Sequence, residues 1–312
     1  MRHVFITGGS GFIGNAIATA FKQNGDKVTC LCQSAKSKSL LEQQGFTTVL
    51  GDMSNPKGWS DVAEGAEVIV HAAHVRAGMR LSKGWLKKST EFRDAALKGL
   101  ITAAKKGGNC KALIYTSGMI AHGDHGDRQI DETTTPNETA LGRYHLDGEA
   151  IITSAAKDGV PALSIRPGMV YGPKGTFGKF FLTVAQKGKY QYPGSGDNYL
   201  PFVHVNDLAK AYVLASQKAP SGHIINVVDD SPITVKDMAA KLLSSFNGGK
   251  ASSVPSWVVG LFAGNALAEM LTGSYRVQNS KAKELLDWQP KYKTFADGIG
   301  DVVGEFKTLG AA

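Results

Sequence analysis

Six short runs rich in β-branched and apolar residues, each set apart from the next by a helix-length segment, leave this chain few folds to choose from. They lie at 2–7 (RHVFIT), 27–32 (KVTCLC), 47–51 (TTVLG), 67–73 (EVIVHAA), 112–117 (ALIYTS) and 162–166 (ALSIR). Helical patterns fill 12–24, 36–44, 85–106 and 140–157. A strand that returns parallel to its predecessor needs a crossover. The crossover is right-handed, so helices come to cover both faces of one sheet. The expected fold is α/β, a doubly wound parallel sheet of the Rossmann type. With 312 residues, 42% of them hydrophobic, the chain can bury a core for one or two domains. After Pro167 the rhythm breaks. GPKGTFGK and YPGSGDNYLP are Gly/Pro-rich loops, and helices at 206–217, 234–246 and 257–272 dominate the remainder. The expected division is a sheet domain over 1–170, rejoined by 201–230, and a smaller substrate-binding lobe from 171–200 and 231–312.

The first strand runs straight into TGGSGFIG, with Gly8, Gly11 and Gly14 at the turn and at the start of the next helix. Residues without a Cβ let the backbone approach a pyrophosphate, whose charge faces the helix N-terminus. Glycine spacing alone is a weak signal, but the strand before it and the amphipathic helix after it make it a dinucleotide turn. The end of the second strand addresses which dinucleotide. An NAD-preferring site usually places an acid there for the ribose 2′-hydroxyl. Here Gln33, Ser34, Lys36 and Lys38 follow instead, neutral or cationic groups that suit a 2′-phosphate. The cofactor expected is NADP(H) rather than NAD, although the lysines also read as the start of an exposed helix.

Other classes of function find little support. The net charge is +8, and the segment Arg76 to Lys111, with ten lysines and arginines against Glu91 and Asp94, accounts for it. No aromatic interleaving accompanies this excess, so nucleic acid is not an expected partner. It reads as a solvated lysine-rich helix face, with attraction of a small anion as the alternative. RHVFITGG shows no apolar h-region followed by a small-residue cleavage site, so a signal peptide is not expected, and 254–271 carries Asn265 and Glu269 and is too short for a membrane span. Cys30, Cys32 and Cys110 suit a reducing compartment, and no His/Cys spacing matches a metal site. The expectation is a cytoplasmic protein with a small-molecule substrate and no metal.

Several further motifs occur in a fixed order: LGDMSN at 50–55, VHAA at 70–73, IYTSG at 114–118, RPGMVYGP at 166–173, LPFVHVNDLAKAY at 200–212 and NSKAKELLDWQPKY at 279–292. Together with TGGSGFIG they resemble the extended short-chain dehydrogenase/reductase superfamily, in its NAD(P)-dependent epimerase/dehydratase branch. The resemblance implies that Thr7, Gly8, Gly11, Phe12, Ile13 and Gly14 surround the pyrophosphate. It sets Asp52 and Met53 against the adenine, although Asp52 reads equally as a turn residue. Ala72, Ala73 and Thr116 would line the cleft, with Ser34 and Lys36 at the 2′-phosphate. Pro167, Gly168 and Met169 would lie beside the nicotinamide. His204 to Asp207 would join the lobes, His204 as a structural residue. The resemblance also implies a homodimer formed by the fourth and fifth helices, using Leu97, Leu100, Ile101, Ile151 and Ile152.

The same resemblance exposes a gap. Related sites carry a tyrosine and, four residues later, a lysine that lowers its pKa, with a serine or threonine after the fifth strand. In GRYHLDGEA (142–150) Tyr144 is followed at that spacing by Gly148. Counting back without gaps from RPG puts Tyr144 on the lysine position and Ala140 on the tyrosine position. Lys157 is too far along in either alignment. The serine position falls on Gly118, with Ser117 adjacent, and Arg93 stands where the fourth helix often has asparagine. The chain is thus an atypical member without the usual Tyr-xxx-Lys pair. Tyr144 is the residual proton donor and Ser117 the group that helps hold a carbonyl oxygen. Histidines cluster nearby at His71, His74, His122, His125 and His145, any of which has a pKa suited to replacing the missing group. His145, a quarter-turn from Tyr144, is not expected to face the same cleft.

The leading expectation is an NADP(H)-dependent oxidoreductase acting on a carbonyl or alcohol. Leu200 before the FVHV run, where nucleotide-sugar enzymes often place arginine, and WVVGLF at 257–262 point to a fairly apolar substrate. The alternatives are a non-redox epimerase, dehydratase or isomerase that retains its cofactor, and a dinucleotide-binding regulator without chemistry.

Overall fold

In a computed structural model of the chain, which describes residues 1–75, 81–218 and 221–310, the strands assemble as the alternation dictates. Seven parallel strands form one sheet: β1 (His3–Thr7), β2 (Lys27–Cys32), β3 (Thr47–Leu50), β4 (Val68–His71), β5 (Ala112–Thr116), β6 (Ala162–Pro167) and β7 (Ile224–Val227). Their order is β3-β2-β1-β4-β5-β6-β7. The chain winds outward from β1 to β3, then jumps back to β4 and winds the other way. That reversal opens a crevice between β1 and β4 at the carboxyl ends of the strands, where doubly wound sheets bind ligands.

Alternation along each strand sorts the core into two layers. Val4, Ile6, Val68, Val70 and Ile114 face one side, packed by helix α1 (Phe12–Gln23) and by the helix Val205–Lys218. Phe5, Ile69, Leu113 and Tyr115 face the other, under α4 (Lys83–Gly107) and α5 (Ala140–Lys157). Between α1 and α4 lie α2 (Ala35–Gln43) and the short α3 (Ser60–Glu64). The long helices start at side-chain caps: Ser82 accepts from Trp85 N–H at 3.1 Å, and Thr139 from Gly142 N–H at 2.9 Å. Such caps each contribute about 1 kcal/mol.

A second core gathers Tyr171, Phe177, Phe202 and Phe295 with the helices Val235–Ser244 and Phe295–Gly310. The late segments are not confined to it. Ala282, Leu286 and Trp288 pack into the first core instead, and Trp288 donates its indole N–H to the Asp207 carbonyl at 3.0 Å. The Asp207 carboxylate accepts the backbone N–H groups of Lys291 and Tyr292 at 2.9 and 3.0 Å. His204 is buried, edge-on to Tyr171 and tilted against Tyr292, and accepts from Asn206 N–H. Its role is structural.

Two expected features change on packing. The segment 257–272 is two helices, Ser256–Ala263 and Asn265–Thr272, broken at Gly264, whose φ of +90° no helix continues through. In the first of them Trp257 and Leu261 are 70% and 63% exposed, so these side chains face water rather than a substrate cleft. The helix pair expected to dimerise has also spent much of its apolar surface: Leu97, Leu100 and Ile152 are buried in the chain's own core, leaving Ile101 and Ile151 partly covered. No helix among the described residues is long and apolar enough to cross a membrane.

Candidate active site

The glycine turn after β1 is built against the next strand. Gly8 has φ +79°, and a Cβ there would stand 2.7 Å from the Ala72 carbonyl and the Ala73 nitrogen. A Cβ at Gly14 would run into the Gly8 carbonyl. Gly11 caps α1 without any side-chain hydrogen bond, so the N–H groups of Phe12 and Ile13 point out of the helix end with no acceptor among the described residues. A 12-residue helix with an open N-terminus beside a cradle that admits no Cβ fits a pyrophosphate. The Phe12 ring lies under the loop of Gly172 and Gly175, so this residue also ties the lobes together.

On the far side of β1, Ser34 caps α2, accepting from Ser37 N–H at 3.2 Å and bonded to the Ser37 hydroxyl at 3.0 Å. Lys36 is exposed in the first turn of α2, and Lys38 lies a loose 3.8 Å from Glu42. Ser34, Lys36, Ser37 and Gln43 border a surface hollow of about 500 Å³. Asp52 is a turn residue whose carboxylate accepts Ser54 N–H at 2.9 Å, which holds it below the usual carboxylate range. The Met53 side chain is 2% exposed and packs with Phe5 and Trp59, so it faces the core and not an adenine groove. Two other expected cofactor residues are likewise turned inward. The Thr7 hydroxyl bonds His71 Nδ1 at 2.8 Å, and the Thr116 hydroxyl accepts from Tyr212 at 2.8 Å. The Gly168 N–H donates to Val227 and the Met169 N–H to Pro201, which fixes the loop after Pro167 across the end of β6. Ala72 and Ala73, half-buried, form the floor of the crevice.

The other half of the crevice departs from expectation in three ways. Ser117 does not face a substrate. Its hydroxyl donates to Glu149 at 2.5 Å, and Glu149 is clamped by Arg166 through two bonds at 2.7 and 2.6 Å. Arg166 also lies 3.3 Å from His122 Nε2, which bonds Asn226 at 3.0 Å. This buried network stitches β5, α5, β6 and β7 together, so Ser117 serves structure and the carbonyl-holding role is withdrawn from it. The signal was present: Ser117, Glu149 and Arg166 are polar groups in three segments that must pack, and buried polar groups come in satisfied sets.

The position four residues after Tyr144 is closed as well. A Cβ at Gly148 would meet the Tyr115 ring at 2.7 Å, because the Tyr115 phenol occupies the space beside α5 where a longer side chain would run. Its hydroxyl is buried without a partner. Finally, His145 is brought in rather than turned away. Its ring lies against Gly118, where a Cβ would stand 3.1 Å from the imidazole Cε1, and edge-on to Tyr144 at 5.1 Å between centroids. A quarter-turn separates the two Cα atoms, but side chains this large converge at the end of β5. Burial chiefly, then the nearness of His74, Arg166 and Arg93, keeps His145 uncharged.

Tyr144 is 6% exposed. Its ring lies over the Arg93 guanidinium at 4.8 Å, and Arg93 also donates to the Tyr144 carbonyl and to Asp94. The hydroxyl is 3.4 Å from His74 Nδ1. Burial raises the phenol pKa above its ordinary value, partly offset by Arg93. Tyr144, His74 and His145 therefore stand together beside Gly118, on the β4–β5 side of the crevice.

The sequence profile of the NAD dependent epimerase/dehydratase family matches residues 4–227. Sterol-4-alpha-carboxylate 3-dehydrogenase, decarboxylating, from Dictyostelium discoideum is 23% identical over 239 residues, covering 75% of this chain and 73% of its own. Among solved structures, a human epimerase family protein, SDR39U1 (isoform 2), with NADPH superposes with a TM-score of 0.83 at 20% identity, over 97% of this chain and 99% of that one. UDP-glucose 4-epimerase from Thermotoga maritima with UDP-glucose gives 0.84 at 20% identity, over 99% and 100%.

Proposed function

The chain belongs to the NAD dependent epimerase/dehydratase family, and from that premise we propose that it is an NADP(H)-dependent oxidoreductase reducing the carbonyl of a small, fairly apolar molecule. The observation that carries the cofactor choice is the entrance to α2, which offers two serine hydroxyls, a helix N-terminus and the exposed Lys36, with no acid at the end of β2. All of these favour a 2′-phosphate over a bare hydroxyl. A bound nicotinamide supplies the hydride. The protein's part is the proton, and Tyr144 holds it: a phenol whose pKa is raised by burial is in its protonated form at neutral pH, so it enters turnover as an acid and not as a base.

The reading of the substrate rests on the charges nearby. Arg93 is engaged by Asp94 and the Tyr144 ring, and Arg166 by Glu149, so neither is free to grip a diphosphate. This favours a carbonyl compound over a sugar nucleotide. Calorimetric titration tests the reading: NADPH should bind more tightly than NADH, and equal or tighter NADH binding would overturn it.

A further inference from the structure

A tyrosine that gives up its proton at each turnover must recover it, and Tyr144 is poorly placed to do so alone. At 6% exposure its hydroxyl has little contact with water. The ammonium that reprotonates and polarises such a phenol elsewhere is missing, and its place is filled by Tyr115. The neighbours divide sharply when asked which could deliver a proton. Arg93, from α4, lies under the ring, but its guanidinium does not deprotonate in proteins. Asp94 beside it is held by Arg93. His71, on β4, spends Nδ1 on Thr7. Tyr115, on β5, has a hydroxyl sealed from solvent. His145, on α5, touches the Tyr144 ring edge-on, but its Nδ1 is buried and without a partner.

His74 is different. It stands on the open chain after β4, more exposed than any of these, and its Nδ1 is the only hydrogen-bond partner of the Tyr144 hydroxyl among the described residues. An imidazole has two nitrogens on opposite edges, so it can take a proton on one and release another from the other. The 3.4 Å separation is long for a settled bond, but contacts of this kind commonly tighten when a site fills.

We propose that His74 is the proton relay of this site, taking a proton from water at Nε2 and passing one from Nδ1 to the Tyr144 oxygen. The step balances without a further reagent. When the Tyr144 O–H bond breaks toward a substrate oxygen, the Nδ1–H bond of His74 breaks toward the phenolate and restores the phenol. In the same movement Nε2 gains a proton from water, which leaves hydroxide in the solvent. The imidazole thus stays neutral and passes from its Nδ1–H to its Nε2–H tautomer, and a flip of the ring resets it before the next turnover. His74 is a positioning residue in this scheme, acting through Tyr144. The inference deepens the proposed function and rests on Tyr144 being the donor.

The test needs neither substrate nor cofactor. In the full chain labelled with 13C at tyrosine Cζ, the exchange of the Tyr144 hydroxyl hydrogen with water is followed by its deuterium isotope shift, the signal being assigned by its loss in Tyr144→Phe. His74→Ala should slow that exchange by about tenfold or more, and added free imidazole should restore it. His74→Gln keeps a hydrogen-bonding group but cannot relay, and should be as slow as His74→Ala. Unchanged exchange in His74→Ala, rates in His74→Gln equal to the wild type, or slowing that imidazole fails to reverse would each overturn the relay. Failure of the wild-type protein to bind NADPH would speak against the proposed function alone, because the exchange is measured on the protein by itself.

Discussion

The two halves of the crevice are made from different materials. On the β1–β2 side the fit to a ligand is written mostly in backbone: glycines that admit no Cβ and the open end of α1, beside the serine-capped end of α2. On the β4–β5 side it is written in side chains. Gly118 is small where related sites carry a hydroxyl, and the His145 imidazole lies against it. Gly148 is small four residues after Tyr144, and the Tyr115 ring fills the volume beside it. Backbone cradles depend on a few dihedral angles and tolerate little change. A side-chain constellation can be repacked as long as volume is conserved and polar groups find partners.

The largest effect expected from this contrast is at Tyr144. Tyr144→Phe removes one hydroxyl from the side-chain half and nothing from the backbone half. Turnover should fall by about 10²–10⁴-fold while NADPH affinity stays nearly unchanged. A loss below tenfold would mean that the ring only packs over Arg93, and attention would pass to His145. A parallel loss of affinity would mean that the two halves are not separable.

Acid should also distinguish them. Burial pushes His71 and His145 down to about 3, and His122 and His204 to about 4. The unfolded chain takes up protons at these residues near pH ~6.5 while the folded chain refuses them, so their contribution is complete above that pH and is lost as pH falls toward 4. Asp229 opposes them. Burial raises it to about 8, so it keeps its proton in the fold and its contribution is lost as pH rises through 8. One carboxyl offsets one imidazole between pH 4 and 6.5. The imidazoles outnumber the carboxyl, so the net expectation is a stability loss on acidification through that window. Urea unfolding at pH 7.5 and 5.5 measures it. Hydrogen exchange should rise first in β4, β5 and β6, and equal loosening of β2 and β3 would contradict the contrast.

What could be read from the chain follows the same division. The strands, the crossovers and the glycine turn depend on local pattern, and they were legible as such. The roles of Ser117 and His145 were not, because each is decided by contacts between segments far apart in sequence: Ser117 with Glu149, and His145 with Gly118. Helix phase adds to the difficulty. Two alignments of α5 one helical turn apart leave different residues facing the cleft, and only packing against β5 chooses between them. Gly148 did carry a signal. A glycine inside an 18-residue helix costs about 1 kcal/mol relative to alanine and so suggests a close neighbour, although not which one. Gly264 offered a similar warning inside the apolar run that the structure breaks into two helices.

Restoring the missing residue should therefore fail. Gly148→Lys places a side chain on the Tyr115 ring, and overpacking of this kind costs roughly 1–3 kcal/mol. The variant should unfold at lower urea and show no gain in turnover. If it were both stable and faster, Tyr115 would be a mobile filler and the site a conventional one with a gap. Gly118→Ser makes the complementary test on the other swap: the added side chain crowds His145, and His145→Ala in the same chain should relieve the strain.

The smallest effect belongs to the backbone half, where one exposed side chain is asked to discriminate. Lys36 carries a full charge beside the α2 N-terminus, and a charge-assisted contact to phosphate contributes up to ~3 kcal/mol when well sheltered. Exposure and screening reduce that, so Lys36→Ala should weaken NADPH by roughly 3–10-fold. NADH has no 2′-phosphate to lose and should bind as before. The comparison is thus a ratio of dissociation constants, insensitive to any general damage to the cradle. Raising the salt concentration should narrow the wild-type preference and leave that of the variant almost unmoved, since only the former depends on the ammonium. Lys38→Ala provides the control, because Lys38 already leans toward Glu42 and should matter less. Equal weakening of both dinucleotides in Lys36→Ala would show that the lysine steers anions in general. No weakening of either would leave discrimination to the Ser34 and Ser37 hydroxyls, which are tied to each other at 3.0 Å and would have to turn outward to meet the phosphate.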